Sequence, residues 1–256
     1  YSINPDNLFI PSNYLISPFN STDKFINGEY FLTDHQSNIK KDILEFIEKN
    51  EFITFCISAN AGTGKTLLAY DLARHLLQCK KSPLIIHCGK LNNGHYKLIS
   101  LGWKIISIRN INREYVDSWS TKKVELIIVD ESQRISSKQL NLIIEKSIEL
   151  KIPIMFTYDT NQYLREDEKQ DIFDYIKIHY QDTPIKKYEL TNKIRTNKEI
   201  SSFIKNLVHK GSSNSYLDYT NITIEYFDEI KDVKKYINDL QYFYGWKAIT
   251  FTRCQY

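Results

Sequence analysis

An apolar run ending at Ala59 passes into Asn60-Ala61-Gly62-Thr63-Gly64-Lys65-Thr66, and an amphipathic stretch follows over residues 64–78. Few folds satisfy such a junction. Gly62 and Gly64 permit left-handed turns and close approach of a ligand that a Cβ would block. Backbone N–H groups of the turn then face one concavity, and the N-terminus of the following helix adds its dipole, which makes an anion site. The pattern is a phosphate-binding loop with Ala59 in place of the first glycine. Ala61, Gly62, Thr63 and Gly64 wrap the phosphates, Lys65 reaches the β/γ-phosphates, and Thr66 holds Mg²⁺.

The rest of the chain supplies the sheet that such a loop needs. Apolar runs at residues 52–58, 84–87, 104–108, 124–130, 152–158, 185–190, 222–227 and 247–251 read as strands. Between them, residues 34–50, 64–78, 136–150 and 197–210 carry apolar positions at helical spacing. Near-continuous runs such as Leu126-Ile127-Ile128-Val129 suit strands buried on both faces. The expectation is an α/β fold, a mainly parallel sheet covered by helices on both faces. A break at Gly211 to Thr220, rich in Ser and Asn, precedes a fresh strand–helix–strand unit.

The second chemical signal is Val124 to Glu131, an apolar strand ending in two acids. Asp130 is placed to hold Mg²⁺, and Glu131 to orient or deprotonate an attacking water. Together with Lys65 these acids point to hydrolysis of a nucleoside triphosphate.

In order along the chain, these elements resemble the superfamily 1 helicases and translocases, and within them the helicase-like P-loop family related to the Schlafen helicase domains. Ala61 to Thr66 resembles motif I, and Asp130-Glu131-Ser132-Gln133-Arg134 resembles motif II. Ile154 to Gln162 is similar to motif III, with Tyr158 in place of a glycine. Leu190 to Thr196 resembles the element whose arginine touches the γ-phosphate, with Lys193 and Ile194 departing from the pattern. Phe31 to Gln36 looks like the adenine-reading Q motif. The resemblance implies a RecA-like fold, ATP and Mg²⁺ as cofactors, Gln36 as the adenine reader, Gln162 as a γ-phosphate sensor and Arg195 as a charge on the transition state. From the residues alone, Gln36 also suits a cap on its own helix, Gln162 a turn and Arg195 a surface ion pair.

The same resemblance divides the chain into an N-terminal extension (1–30), a first RecA-like lobe (31–210), a linker (211–220) and part of a second lobe (221–256) whose Arg253 is directed at ATP. With Tyr1 rather than Met at its start and no counterpart of motifs V and VI, the expectation is a part excised from a longer protein. Single-stranded DNA or RNA is the implied partner, lying on the segment His87 to Tyr96 after the second strand. In that segment His87 and His95 read as polar loop residues, while Trp103 and Trp119 read as core.

Composition narrows rather than decides. Lys and Arg total 34 against 31 acids, a net +3 too small to argue for nucleic acid by itself. Cys56, Cys79, Cys88 and Cys254 lack zinc or disulfide spacing, and no run is long enough for a membrane span, so a cytoplasmic protein without a membrane partner is expected. The functional expectation is ATP hydrolysis coupled to nucleic-acid binding or translocation. The alternative is an ATP-switched regulatory or scaffold module controlling a fused or partner effector such as a nuclease. A kinase fits less well, because Glu131, Gln162 and Arg195 together suit water activation.

Overall fold

The computed structural model describes residues 16–60, 62–159, 172–180, 183–191 and 222–242. The chain divides into two compact units, Tyr1–Thr196 and Asn197–Tyr256. In the first, six strands form one all-parallel sheet: β1 (Thr54–Ala59), β2 (Pro83–His87), β3 (Lys104–Ser107), β4 (Leu126–Asp130), β5 (Ile154–Tyr158) and β6 (Ile185–Leu190), in the spatial order β3-β2-β4-β5-β1-β6. The strand leading into the glycine loop is thus separated from the strand ending in two acids by one neighbour, β5. Helices α1 (Thr22–Asn27), α2 (Asp34–Glu48), α3 (Lys65–Gln78), α4 (Asn93–Ser100), α5 (Arg113–Asp117), α6 (Trp119–Lys122), α7 (Ser137–Leu150) and α8 (Ile172–His179) fill the connections.

The alternation of each strand divides the core in two. Phe55, Ile57, Ile85, Leu126, Ile128 and Met155 pack beneath α2, α3 and α4. Cys56, Leu84, Ile86, Ile127, Val129 and Phe156 face the opposite way, onto α5 to α8. Every residue of β1, β2, β4 and β5 is buried, so the sheet is covered on both faces as the near-continuous apolar runs predict. This is a RecA-like P-loop architecture.

Helix α2 starts where Thr33 accepts a hydrogen bond from the Gln36 backbone N–H and the Gln36 side chain answers by accepting from Thr33 N. Helices α1, α4, α5, α6 and α8 are absent from the sequence reading. All are eight residues or fewer, too short for an apolar period to register. Residues 16–30 also pack into the first unit, with Phe25 fully buried and Tyr30 beside it.

In the second unit α9 (Ile230–Gln241) is the described helix, and the Phe227 and Tyr236 rings meet at 5.2 Å. The strand expected over residues 222–227 is not formed. Alternation at Ile222, Ile224 and Tyr226 is strand-like, but a strand requires a ladder partner, and none pairs with it among the described residues. The predicted helix at 197–210 and strand at 247–251 lie outside the described residues.

Candidate nucleotide-binding site

The strands of a parallel sheet all end on one edge, and open α/β sheets bind ligands there. Here that edge gathers the glycine loop after β1, Asp130 at the end of β4, Asp159 after β5 and His87 at the end of β2.

Gly62 and Gly64 both adopt left-handed backbone, with φ of 77° and 86°. At Gly64 space is as restrictive as the dihedral, since a Cβ would lie 2.4 Å from Gln36 Nε2. That amide donates to the Thr63 carbonyl at 3.0 Å, and the Thr63 hydroxyl donates to the Asn60 carbonyl at 2.9 Å. The loop is thereby held open in its turn from two sides. Helix α3 begins at Lys65 behind a glycine, with no side chain capping its first N–H groups. Those donors point to where an anion would sit.

Lys65 lies almost fully inside the protein, its Nζ 3.4 Å from Asp159 Oδ2. Thr66 Oγ1 donates to Asp130 Oδ1 at 3.3 Å, and Thr157 donates to the same oxygen at 2.7 Å. His87 Nδ1 is 3.2 Å from the other oxygen, Oδ2. Burial alone would push the Asp130 carboxyl up. The hydrogen bond and charge of His87, the Thr157 hydroxyl and the Lys65 ammonium outweigh it and hold the group below the usual carboxylate range. An ionised carboxylate beside the Thr66 hydroxyl is a pair of hard oxygens, which fits Mg²⁺, an ion that keeps waters and substrate phosphates as its remaining ligands.

Glu131 has φ of 59°, uncommon for a residue with a side chain, and follows directly on Asp130. Its carboxylate accepts from Gln133 Nε2 at 2.8 Å, and Arg134 stands 3.8 Å away. Gln133 Oε1 in turn accepts from the Asp159 backbone N–H at 3.3 Å. One amide therefore spans the loop after β4 and the loop after β5.

Of the residues singled out in the sequence, the structure assembles Gln36, Gly62, Thr63, Gly64, Lys65, Thr66, Asp130 and Glu131 along this edge. Ala61, Gln162, Arg195 and Arg253 lie outside the described residues. Four participants were not singled out: His87 as a partner of Asp130, Gln133, Thr157 and Asp159. Asp159 and Gln133 sit within motif-like runs and were legible there. Thr157 and His87 carry no sequence signal, because their roles arise from strand register, as in His87 opposite Asp130.

The structure corrects the reading of His87 and His95 as polar loop residues. His87 closes β2 and His95 lies in α4, both buried. The cause is local: Asn92 caps α4 with His95 at the third helical position, and Phe19 stacks on the His95 ring at 4.1 Å. Lys90 and Tyr96 of the same segment remain exposed. Trp119 is core as expected, and Trp103 is partly buried against the other core, beside Phe25 and Tyr70. Among the described residues no helix is long and apolar enough to cross a membrane.

Comparison with known proteins follows the same lines. A family model described as the Schlafen group 3 DNA/RNA helicase domain matches residues 53–247. No curated protein matches the chain. Among solved structures, the Pif1 helicase from Candida albicans is 15% identical, covering 72% of this chain and 45% of its own, with a TM-score of 0.47. A DNA replication initiation factor is 15% identical (83% and 62% covered, TM-score 0.42). AMPPCP-bound DnaA from Aquifex aeolicus is 14% identical (94% and 67% covered, TM-score 0.42). The alignment thus spans less than half the length of the Pif1 chain.

Proposed function

Because the chain belongs to the Schlafen group 3 DNA/RNA helicase domain family, we propose that it binds ATP with Mg²⁺ at the edge between α3 and β4 and couples hydrolysis to nucleic-acid binding or translocation. The observation that carries this reading is the convergence of Lys65, Thr66 and Asp130, with Glu131 following, around the uncapped start of α3. Backbone N–H groups of the glycine loop bind the phosphates, and Lys65 exchanges Asp159 for the terminal ones. Thr66 and Asp130 would hold Mg²⁺, which would supply positive charge to the triphosphate. Glu131 orients the attacking water. Gln36 keeps one further donor and one further acceptor position on its amide, enough to read an adenine edge.

On this reading Gln162 and Arg195 take the roles of γ-phosphate sensor and transition-state charge that the sequence resemblance implies. Single-stranded nucleic acid lies across the segment after β2, where Lys90 and Tyr96 supply a cation and an aromatic face. The test is phosphate release from ATP by the protein, with and without single-stranded DNA or RNA. Stimulation by a strand supports coupling, and a rate indifferent to both strands opposes it.

A further inference from the structure

The hydrogen bond between His87 and Asp130 joins two edges of the candidate site. β2 and β4 are parallel neighbours, and His87 stands opposite Asp130 in their register. Both side chains are withdrawn from water, and the backbone follows suit, with Cys88 N donating to the Asp130 carbonyl at 2.9 Å. Asp130 is a carboxylate that accepts from Thr66 and Thr157 through Oδ1, so its orientation about the Cβ–Cγ bond depends on what grips Oδ2. His87 Nδ1 does so.

The far side of the imidazole is equally committed. Its ring meets Phe19 edge-on at 5.4 Å and His95 at 4.6 Å. Gly89, the second residue beyond β2, leaves room for it: a Cβ there would lie 2.8 Å from His87 Nε2. The imidazole is a wedge between the metal-binding carboxylate and the segment running from Cys88 into α4.

We propose that His87 is a positioning residue for the metal site, fixing the Asp130 carboxylate in the orientation that receives Mg²⁺ and tying it to the segment after β2. The inference rests on the proposed nucleotide site and adds to it a residue that touches neither nucleotide nor metal. It makes a specific demand: loss of His87 must weaken Mg²⁺ while sparing the phosphate contacts made by the glycine loop. Partners that orient metal ligands are typically worth 10- to 100-fold in metal affinity.

The experiment is calorimetric binding of ATP, in EDTA and across a Mg²⁺ titration, by the wild-type chain, His87→Leu, His87→Asn and Gly89→Ala. Asn carries an amide N–H near the position of Nδ1, and Gly89→Ala displaces the ring without removing it. His87→Leu is expected to raise the Mg²⁺ concentration for half-maximal effect at least tenfold while metal-free ATP affinity stays within about twofold, and His87→Asn to recover most of that loss. Gly89→Ala is expected to move in the direction of His87→Leu, and decides the matter if His87→Leu does not fold. Unchanged Mg²⁺ dependence in His87→Leu, or in Gly89→Ala where only that variant folds, overturns the proposal. So does equal loss of metal-free and metal-dependent binding. A wild-type chain that binds ATP in neither condition overturns the functional reading itself and the role of His87 with it.

Discussion

Lys65 Nζ stands 3.4 Å from Asp159 Oδ2 with both side chains withdrawn from solvent, so the lysine of the glycine loop is paired with a carboxylate at the end of β5. On the proposed reading an incoming phosphate would compete with that carboxylate for one ammonium group, and Gln133 joins the Asp159 backbone to Glu131.

Asp159→Asn should lower stability without nucleotide, because removing one partner of a buried ion pair costs about 3–5 kcal/mol. ATP–Mg²⁺ supplies a replacement for the lost charge. The rise in melting temperature on adding it should consequently be larger in the variant than in the wild type. Equal shifts in the two proteins would mean that the phosphates do not engage Lys65.

Gly64 and Gln36 should be coupled. Gln36→Ala removes the reciprocal cap on α2 and the bond to the Thr63 carbonyl, and caps of this kind are worth about 1 kcal/mol. Gly64→Ala places a side chain in left-handed backbone, a cost of about 1–2 kcal/mol, and also collides with the Gln36 amide. In a double-mutant cycle by urea denaturation, Gly64→Ala should cost less in the Gln36→Ala background than alone. Strict additivity would show that the contact contributes nothing.

Much of this was legible in the residues. The six strands of the first unit, α2, α3 and α7 announce themselves because each is long enough for its period to show, and the glycine loop and the paired acids stand at junctions that chemistry requires. What was not legible depends on register or on short-range capping. His87 falls at the end of an expected strand, but its place opposite Asp130 appears only when β2 is laid beside β4, and His95 looks exposed until Asn92 starts a helix there and Phe19 covers the ring. The alternation at Ile222 to Tyr226 misleads for the opposite reason, since pattern without a pairing partner among the described residues does not make a strand.

His95 should also set part of the acid stability. Its ring is fully buried, and burial, together with the neighbouring His87, depresses its pKa from 6.5 to about 4, while the more distant Asp130 charge acts in the opposite direction. An unfolded chain takes up the proton near pH 6.5, which the folded chain refuses until about pH 4. The stability contributed by the neutral ring is therefore complete above about pH 6.5 and is lost as pH falls toward 4, by up to about 3 kcal/mol. His95→Gln keeps an acceptor for the Asn92 N–H and removes the titration. Its stability should fall less steeply than that of the wild type over this interval in urea melts at stepped pH. Parallel curves would show that His95 is not the group responsible.

The central claim is that Lys65 binds the triphosphate whereas Glu131 acts on water, and the two roles separate in one measurement. ATP binding by calorimetry and phosphate release in the presence of single-stranded nucleic acid are compared for the wild type, Lys65→Ala and Glu131→Gln. The account predicts that Lys65→Ala loses both. Glu131→Gln should bind ATP–Mg²⁺ within a few-fold of the wild type while releasing phosphate at least about a hundredfold more slowly. Wild-type turnover by Glu131→Gln, or equal loss of ATP binding in both variants, would contradict it.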